Sequence, residues 1–419
     1  MLAHASVQQY CKDWQLQVNQ TKTKIMIFRK RPKTCHPFYY QHSVLETVDK
    51  YKYLGLTFFR NGTFKYTIDD LKNRASKAAF KLQSILENAN IRDPALWCKL
   101  FDSTIRPILT YGCQAWSHEL LNCTNIDKLS NHEAHPFEKL HARYCRYILG
   151  VNKRTHSLTA KAELGRYPLS FYIMRQTINY WCETLMNSHK LSHLALLEDI
   201  KLHNNSKIKT TTNIVNSIFK NIHGADIFSY ATNYTDRRKI GLDAQQMLQK
   251  QYSTALLNSH LNDIPNSQND VSNKLKTYLT IKPDFKMTKY LEIKAPFLIT
   301  RPLTKLRLSN HDLRVETGRY TRPKKTPYEE RTCDTCRTDI EDELHLLTTC
   351  TDFQDLRQTL ATTFEKYHPD FRQKHQTDQF YIYTNPTNIN QLQAISTFIT
   401  GAFNKRKLKS MPPECPSRL

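Results

Sequence analysis

The chain has 419 residues, and 61 Lys+Arg stand against 38 Asp+Glu, a formal net charge of +23. A field of that sign along the whole length favours polyanions, nucleic acid first among them. The length has room for about two to four packed units. The 9 glycines are too few for Gly-rich phosphate loops or a turn-rich all-β architecture to be expected. No run of 18 apolar residues is present and Met1-Leu2-Ala3-His4 does not open a signal peptide. The chain is therefore read as intracellular, with no membrane partner. In a reducing compartment the 11 cysteines should be thiols, so clustered ones point to metal. The scattered ones (Cys11, Cys35, Cys98, Cys113, Cys123, Cys145, Cys182 and Cys415) read as ordinary buried thiols.

In chain order, residues 4–19 (HASVQQYCKDWQLQVN) predict a helix with Val7, Tyr10, Cys11 and Trp14 on one face. It has no cap or lead-in, as though the chain began inside a domain. Residues 25–28 (IMIF) suit a short buried strand, and residues 51–59 (YKYLGLTFF) a second one closed by Asn61-Gly62. The rhythm then turns helical. Leu71, Ala75, Ala78, Leu82, Ile85 and Leu86 recur at spacings of three and four, behind a capping-box candidate at Thr67 and Asp70. Residues 95–116 continue the pattern, with Pro107 expected to kink or divide the element. Further helices are expected near 137–149, 170–190, 244–261, 354–367 and 389–405. Residues 203–235 and 262–272 are polar and aperiodic and read as linkers. The fold class is mainly α with a small N-terminal β element (α+β), and no internal repeat is evident.

The clearest chemistry is Cys333, Cys336, His345 and Cys350, spaced C-x2-C-x8-H-x4-C. Thiolates and an imidazole are ligands that Zn²⁺ prefers, and four of them close a tetrahedral, structural site. His345 and Cys350 lie about 140° apart on an ideal helix, so the backbone must leave the helix or bend between them. The alternative is four unrelated residues in a basic region. An acidic run at 339–343 leads into His345. Residues 301–331 carry nine Lys/Arg (Arg301, Lys305, Arg307, Arg314, Arg319, Arg322, Lys324, Lys325 and Arg331) against four acids, with Tyr320 and Tyr328 interleaved. That mixture offers phosphate contacts with stacking surfaces, or simply a solvated charged face. A second basic strip, residues 29–33, is open to the same two readings. His141 and Cys145 share a helical face four residues apart, and core packing is the reading for that pair.

A longer pattern joins these pieces. Trp14-x-Leu16-x-Val18-Asn19-x-x-Lys22-Thr23-Lys24, then an apolar strand, then Tyr53-Leu54-Gly55-Leu56 resembles the last palm motifs of reverse transcriptases of non-LTR retrotransposons. Arg106-Pro107-Ile108-Leu109-x-Tyr111-Gly112-x-x-x-Trp116 looks like the helical thumb of that family. Residues 147–151 (YILGV) and 163–169 (ELGRYPL) are similar to the segment after the thumb. Lys305-Leu306-Arg307-x-x-x-His311-x-Leu313-x-x-Glu316-x-Gly318-Arg319-Tyr320 leads into the Cys/His knuckle, whose ligand order the family shares. Singly these are weak: Asn19-x-x-Lys22-Thr23-Lys24 is also a lysine-rich turn, and Gly55 a tight bend or bulge. Their order over residues 10–355 carries the resemblance.

The resemblance implies five units: a palm remnant (1–62), a thumb-like region (63–125), a helical connector (126–300), a basic segment with the zinc knuckle (301–355) and a helical tail (356–419). It implies RNA and DNA as partners, as template–primer and element RNA, and a nuclear location. It places Lys22, Lys24, Tyr53 and Gly55 at nucleic acid, and the basic run adds Arg307, Arg314, Arg319, Arg322, Lys324 and Lys325 as expected phosphate contacts. Cys333, Cys336, His345 and Cys350 would hold structural Zn²⁺.

Nucleotide addition requires carboxylates that hold two divalent metals. The family's catalytic aspartates lie N-terminal to the matching stretch, so no catalytic residue is assigned and Mg²⁺ belongs to an intact polymerase alone. Tyr66-x-x-Asp69-Asp70 has the wrong spacing and opens a helix, where acidic residues suit the dipole. Lys22 or Lys24 would sit near leaving phosphates in an intact enzyme. The tail past Cys350 lacks the spaced acid–lysine set of a nuclease. The expected function is thus a reverse-transcriptase fragment that binds nucleic acid. The other reading is a captured, non-catalytic nucleic-acid-binding zinc-knuckle protein.

Overall fold

The computed structural model describes residues 9–29, 37–40, 43–121, 134–203, 210–228, 239–258 and 277–410. The protein is mainly helical with a small five-stranded β element near its N-terminus. That element begins at a turn organised by Asn19. Its side-chain oxygen accepts from the Lys22 amide (3.0 Å) and the Thr21 hydroxyl (2.7 Å), the local competition that makes Asn a turn former. The chain enters β1 (Lys24–Ile25), then β2 (Phe38–Tyr40) and β3 (Ser43–Thr47). β3 is central, parallel to β1 and antiparallel to β2.

Two expectations here need correction. Residues 51–59 are not one strand but a hairpin of β4 (Lys50–Tyr53) and β5 (Leu56–Phe59). Leu54 (φ +45°) and Gly55 (φ +82°) both adopt the left-handed region, which a two-residue turn matched to strand twist demands. Leu at the first turn position hides that turn inside an apolar run. The strand expected at 25–28 shortens to Lys24–Ile25, and Phe28 is exposed. In the first helix the described helical residues end at Asp13; Cys11 is buried, whereas Tyr10 and Trp14 are exposed with rings 6.1 Å apart. Val7 lies outside the described residues.

The helical body starts with α1 (Lys65–Asn88), whose buried Leu71, Ala75, Ala79 and Leu86 keep the three/four spacing while Ile85 faces out. Thr67 does not cap this helix. It lies inside the first turn, where its hydroxyl donates to the Thr57 carbonyl (2.9 Å) and accepts from the Thr57 amide (2.8 Å). Helix and hairpin are stitched there. Asp70 pairs with Lys52 (3.1 Å).

α2 (Pro94–Leu100) is capped by Asp93 with Pro94 in its first turn, the position that tolerates a missing N–H. It runs through a π turn (Phe101–Ile105) into α3 (Arg106–Thr110). Pro107 gives no amide hydrogen and its ring would strike the Ser103 carbonyl in a regular helix. The wider π turn relieves that clash, so the expected division occurs just before the proline.

α4 (Pro136–Leu149), α5 (Ser157–Glu163) and α6 (Leu169–Met186) form the centre, followed by α7 (Leu191–His203), α8 (Thr211–His223) and α9 (Ile240–Asn258). α8 falls within the stretch expected to be a linker. Val215, Ile218, Phe219 and Ile222 are buried at helical spacing. The polar residues that masked them have internal work. Thr210 caps the Asn213 amide, Thr212 bonds Asp199 (2.6 Å) and accepts from Trp181 Nε1 (3.0 Å), and Asn216 accepts from the Ile227 amide (3.0 Å). The second expected linker, 262–272, lies outside the described residues. α10 (Phe297–Arg307), α11 (Glu343–Thr348), α12 (Gln354–Glu365), α13 (Gln376–Thr384) and α14 (Ile389–Ser410) complete the chain. One connected core runs from Leu56 to Ala402. No described helix is long and apolar enough to cross a membrane.

The segment 163–169 is where this body is tied together. Glu163 takes the Arg307 guanidinium (2.7 Å) and the Tyr278 hydroxyl (2.9 Å). Arg166 holds Asp102 with two hydrogen bonds (2.6 and 2.5 Å), and the Ser170 amide donates to Glu138, which also pairs with Lys161 (3.2 Å). His141 lies beside Glu138 with its ring stacked on Phe101, and Cys145 is a buried thiol. That pair belongs to the core, as its sequence spacing suggested.

Between these anchors Gly165 turns the chain at φ +64°, and a Cβ there would sit 2.7 Å from the Met287 amide nitrogen. Backbone cannot swing aside, so Gly165→Ala is expected to lower stability by about 1–3 kcal/mol. Gly62→Ala is the control for backbone conformation alone, since Gly62 (φ +80°) has nothing within 4 Å of its would-be Cβ. Equal denaturant midpoints for the two variants would refute the close approach.

Candidate metal centre

Residues 331–341 fold back on themselves as a small hairpin. The Glu341 amide donates to the Arg331 carbonyl (2.8 Å) and the Cys333 amide to the Asp339 carbonyl (2.8 Å). Between them the chain turns tightly after Cys336, with Arg337 at φ +59° and its amide on the Cys333 carbonyl (3.0 Å). This places both cysteines of the C-x2-C pair on one side. Asp342 then caps α11 by accepting from the His345 amide (2.8 Å), so His345 occupies the first turn of a helix. α11 ends at Thr348, and Cys350 follows outside it with its amide on the His345 carbonyl (2.9 Å). The helix stops between the two ligands, as their 140° offset requires.

Four ligand atoms, one each from Cys333, Cys336, His345 and Cys350, lie within 4.8 Å of one another. The Cys333 and Cys350 sulfurs are 3.9 Å apart, and Cys336 Sγ is 3.2 Å from His345 Nε2. The edges of a tetrahedron built on usual zinc–sulfur and zinc–nitrogen bonds are about 3.8 and 3.5 Å. The arrangement therefore fits a four-coordinate ion in size and donor chemistry. His345 is oriented from behind, because its Nδ1 meets the Thr349 hydroxyl (2.9 Å) while Nε2 faces the sulfurs. Thr335 and Thr338 place hydroxyls 3.1 Å from Cys333 and Cys336 respectively. The hydrogen bond from Cys350 holds the Cys333 thiol well below the ordinary thiol range, and the same contact pushes Cys350 up. A readily formed thiolate is what a metal ion takes.

The hairpin is clasped to the body. Arg406 on α14 grips both Glu341 oxygens (2.8 and 2.9 Å) and reaches Asp334 (3.0 Å). Glu341 also accepts from the Arg314 amide (2.7 Å), and Arg357 donates to the Cys350 carbonyl (2.6 Å). Sequence reading missed the Arg406 clasp, whose partner lies 65 residues away. The threonines were visible within TCDTCRTD, but threonine there carries no signal of its own.

The residues expected at nucleic acid divide sharply. Arg307 is buried against Glu163, with Nη1 on the Thr384 carbonyl (2.7 Å). Arg319 is buried and bonded to Glu316 (3.0 Å). Both are internal ion pairs and cannot meet a phosphate, which corrects their expected role. A basic residue inside a motif gives no hint of whether its partner is inside or outside. Arg314 is partly exposed and lies 3.4 Å from Asp334. Arg322, Lys324 and Lys325 are exposed in the loop ahead of the hairpin, beside Tyr320, whose ring faces the Arg154 guanidinium at 5.2 Å.

At the other end, Lys22 is exposed in the Asn19 turn and its carbonyl accepts from Tyr51 (3.2 Å). Lys24 is paired with Glu46 across β1 and β3. Tyr53 is exposed, and Gly55 is packed under the Tyr111 ring, whose hydroxyl donates to the Leu54 carbonyl (2.8 Å). Two separate sequence motifs, 53–56 and 106–116, thus meet at one contact.

Comparison with known proteins gives one distant similarity. The chain is 33% identical over 113 residues to an uncharacterized transposon-derived protein of Caenorhabditis elegans, covering 26% of this chain and 39% of that protein. The similarity suggests a transposon origin. No family model matches the chain, and no solved structure matches it.

Proposed function

We propose that the chain is the portion of a non-LTR retrotransposon reverse transcriptase that grips nucleic acid, with a structural zinc ion in the Cys333/Cys336/His345/Cys350 site. The intact enzyme copies element RNA into DNA in the nucleus, and this chain holds the template–primer without performing the copying chemistry. The observation that carries the reading is the convergence of Cys333 and Cys336 on the hairpin with His345 in α11 and Cys350 just after it, directly following the exposed Arg322, Lys324 and Lys325 loop. A closed four-ligand site has no open position for a reacting water, so its work is architectural. The meeting of Gly55 with Tyr111 supports the same reading, since it joins the two motifs that resemble the primer grip and the thumb. The transposon-derived relative agrees in origin.

The test is binding of a labelled RNA–DNA hybrid across salt concentrations. Counterion release gives an affinity that falls linearly on a log–log plot, by about 0.9 per phosphate neutralised on a B-form duplex. A steep fall is expected. No measurable binding at low salt would sink the proposal.

A further inference from the structure

Two loops far apart in sequence meet ahead of the Cys/His hairpin. The first follows α4, which Gly150 ends in the left-handed region (φ +63°). The Gly150 carbonyl accepts from Arg301 Nε (3.4 Å), and the Asn152 amide donates to Asn310 Oδ1 (3.3 Å). Both α10 and the residues just after it therefore hold this loop. The Asn152 side chain accepts from the Arg154 amide (2.8 Å), and the Thr155 amide closes the turn on the Asn152 carbonyl (3.2 Å). From α4, Arg146 Nε donates to the Thr155 carbonyl (2.8 Å). Lys153 is left exposed at the tip of this braced turn.

The second loop, residues 320–325, is closed at its base. The Thr326 amide donates to the Gly318 carbonyl (3.0 Å) and Arg331 Nε to the Thr326 carbonyl (3.0 Å). Tyr320 is exposed, and the Arg154 guanidinium lies 5.2 Å from the centre of its ring, a cation–π contact. That contact sets the 152–155 turn beside the 320–325 loop. Arg154 and Arg301 are engaged in building the junction, so the open charge comes from other residues. Lys153, Arg322 and Lys324 are exposed around it, and none of the three makes an ion pair or a side-chain hydrogen bond among the described residues. Asp312, Glu329 and Glu330 are the exposed acids of the neighbouring segments, and none of them pairs with these cations. A solvated lysine needs no fixed backbone. Unpaired cations on two braced loops, with an exposed ring between them, suit the successive phosphates of a nucleic-acid strand.

We infer that the 152–154 turn and the 320–325 loop form one composite nucleic-acid face, on which Lys153 meets backbone phosphates of the same molecule that Arg322 and Lys324 hold. The inference rests on the nucleic-acid reading above and adds to it a contact from the segment after α4.

The experiment uses the full chain and an RNA–DNA hybrid. Surface lysines are acylated with an N-hydroxysuccinimide ester, with and without the hybrid, and mapped by mass spectrometry. The salt dependence of affinity is measured for wild type, Lys153→Ala and Lys366→Ala, the last an exposed lysine at the end of α12 that serves as control. The expected result is joint protection of Lys153 and Lys324 while Lys366 stays reactive. Lys153→Ala should lower the log–log slope by about 1 and Lys366→Ala should leave it unchanged. A Lys153 still reactive in the complex, or an unchanged slope in Lys153→Ala, would overturn the composite face and leave the nucleic-acid reading standing. Equal loss of slope in the two variants would also overturn it, because net charge alone would then account for the effect. Absence of any binding by wild type would overturn both.

Discussion

Purified from zinc-replete cells, the protein is expected to carry about one zinc per chain, and Cys333→Ser to carry almost none. The hairpin has little core of its own: in the loop and hairpin from 321 to 340, only Arg331 and Cys333 are buried. Structural zinc contributes roughly 10–16 kcal/mol of apparent folding energy in small modules, far more than the hairpin's few backbone bonds. Loss of one thiolate should therefore open the hairpin to proteolysis within 321–342, while the Leu56–Ala402 core stays folded. Chelation of the wild type should give the same cleavage. Cys98→Ser is the control, since Cys98 is a buried thiol well apart from the ligands in sequence. Wild-type zinc content in Cys333→Ser, or none in the wild type, would remove the metal from the account.

The second large effect concerns Arg307. Arg307→Met is expected to destabilise the protein by about 3–5 kcal/mol, because it strands the Glu163 carboxylate, fully buried, without its partner. Adding Glu163→Gln should recover part of that loss, since the uncompensated charge goes with it. A role in phosphate contact predicts the reverse: little change in stability and weaker nucleic-acid binding. Acid unfolding gives an independent check. Burial alone would raise the Glu163 carboxyl, but Arg307, with Lys282 and the Tyr278 hydroxyl, brings it down to about 2 from an ordinary 4.5. A depressed folded-state pKa means stability that is fully present above about 4.5 and lost as pH falls toward about 2. Glu138 is likewise brought down to about 2, by Lys161 and His141 against its burial. Unfolding should therefore set in below pH 4.5 in the wild type. In Arg307→Met/Glu163→Gln the acid-induced loss should be smaller by about 3 kcal/mol, the equivalent of that shift.

These buried pairs also show how far sequence could be read. Helix positions in the body followed from three/four spacing at Leu71, Ala75 and Leu86. The four ligands were legible because metal chemistry confines them to a spacing and a residue set. Polarity misled wherever polar groups serve the interior. Thr212 and Asn216 made a buried helix look like a linker, and Thr67 looked like a cap although it bonds a strand. Arg307 and Arg319 looked like phosphate ligands because charge in a motif does not reveal its partner. Pairing between distant residues, such as Arg406 with Glu341 or Tyr111 with Leu54, leaves no local trace at all.

The 322–325 loop, which leads into the Cys/His hairpin, is the proposed nucleic-acid contact. The decisive measurement is the salt dependence of affinity for an RNA–DNA hybrid, wild type against Arg322→Ala/Lys324→Ala/Lys325→Ala. Each lost phosphate contact should reduce the log–log slope by about 0.9, so a reduction of about 2–3 is expected with an unchanged unfolding midpoint. Equal slopes for the two proteins would contradict the account.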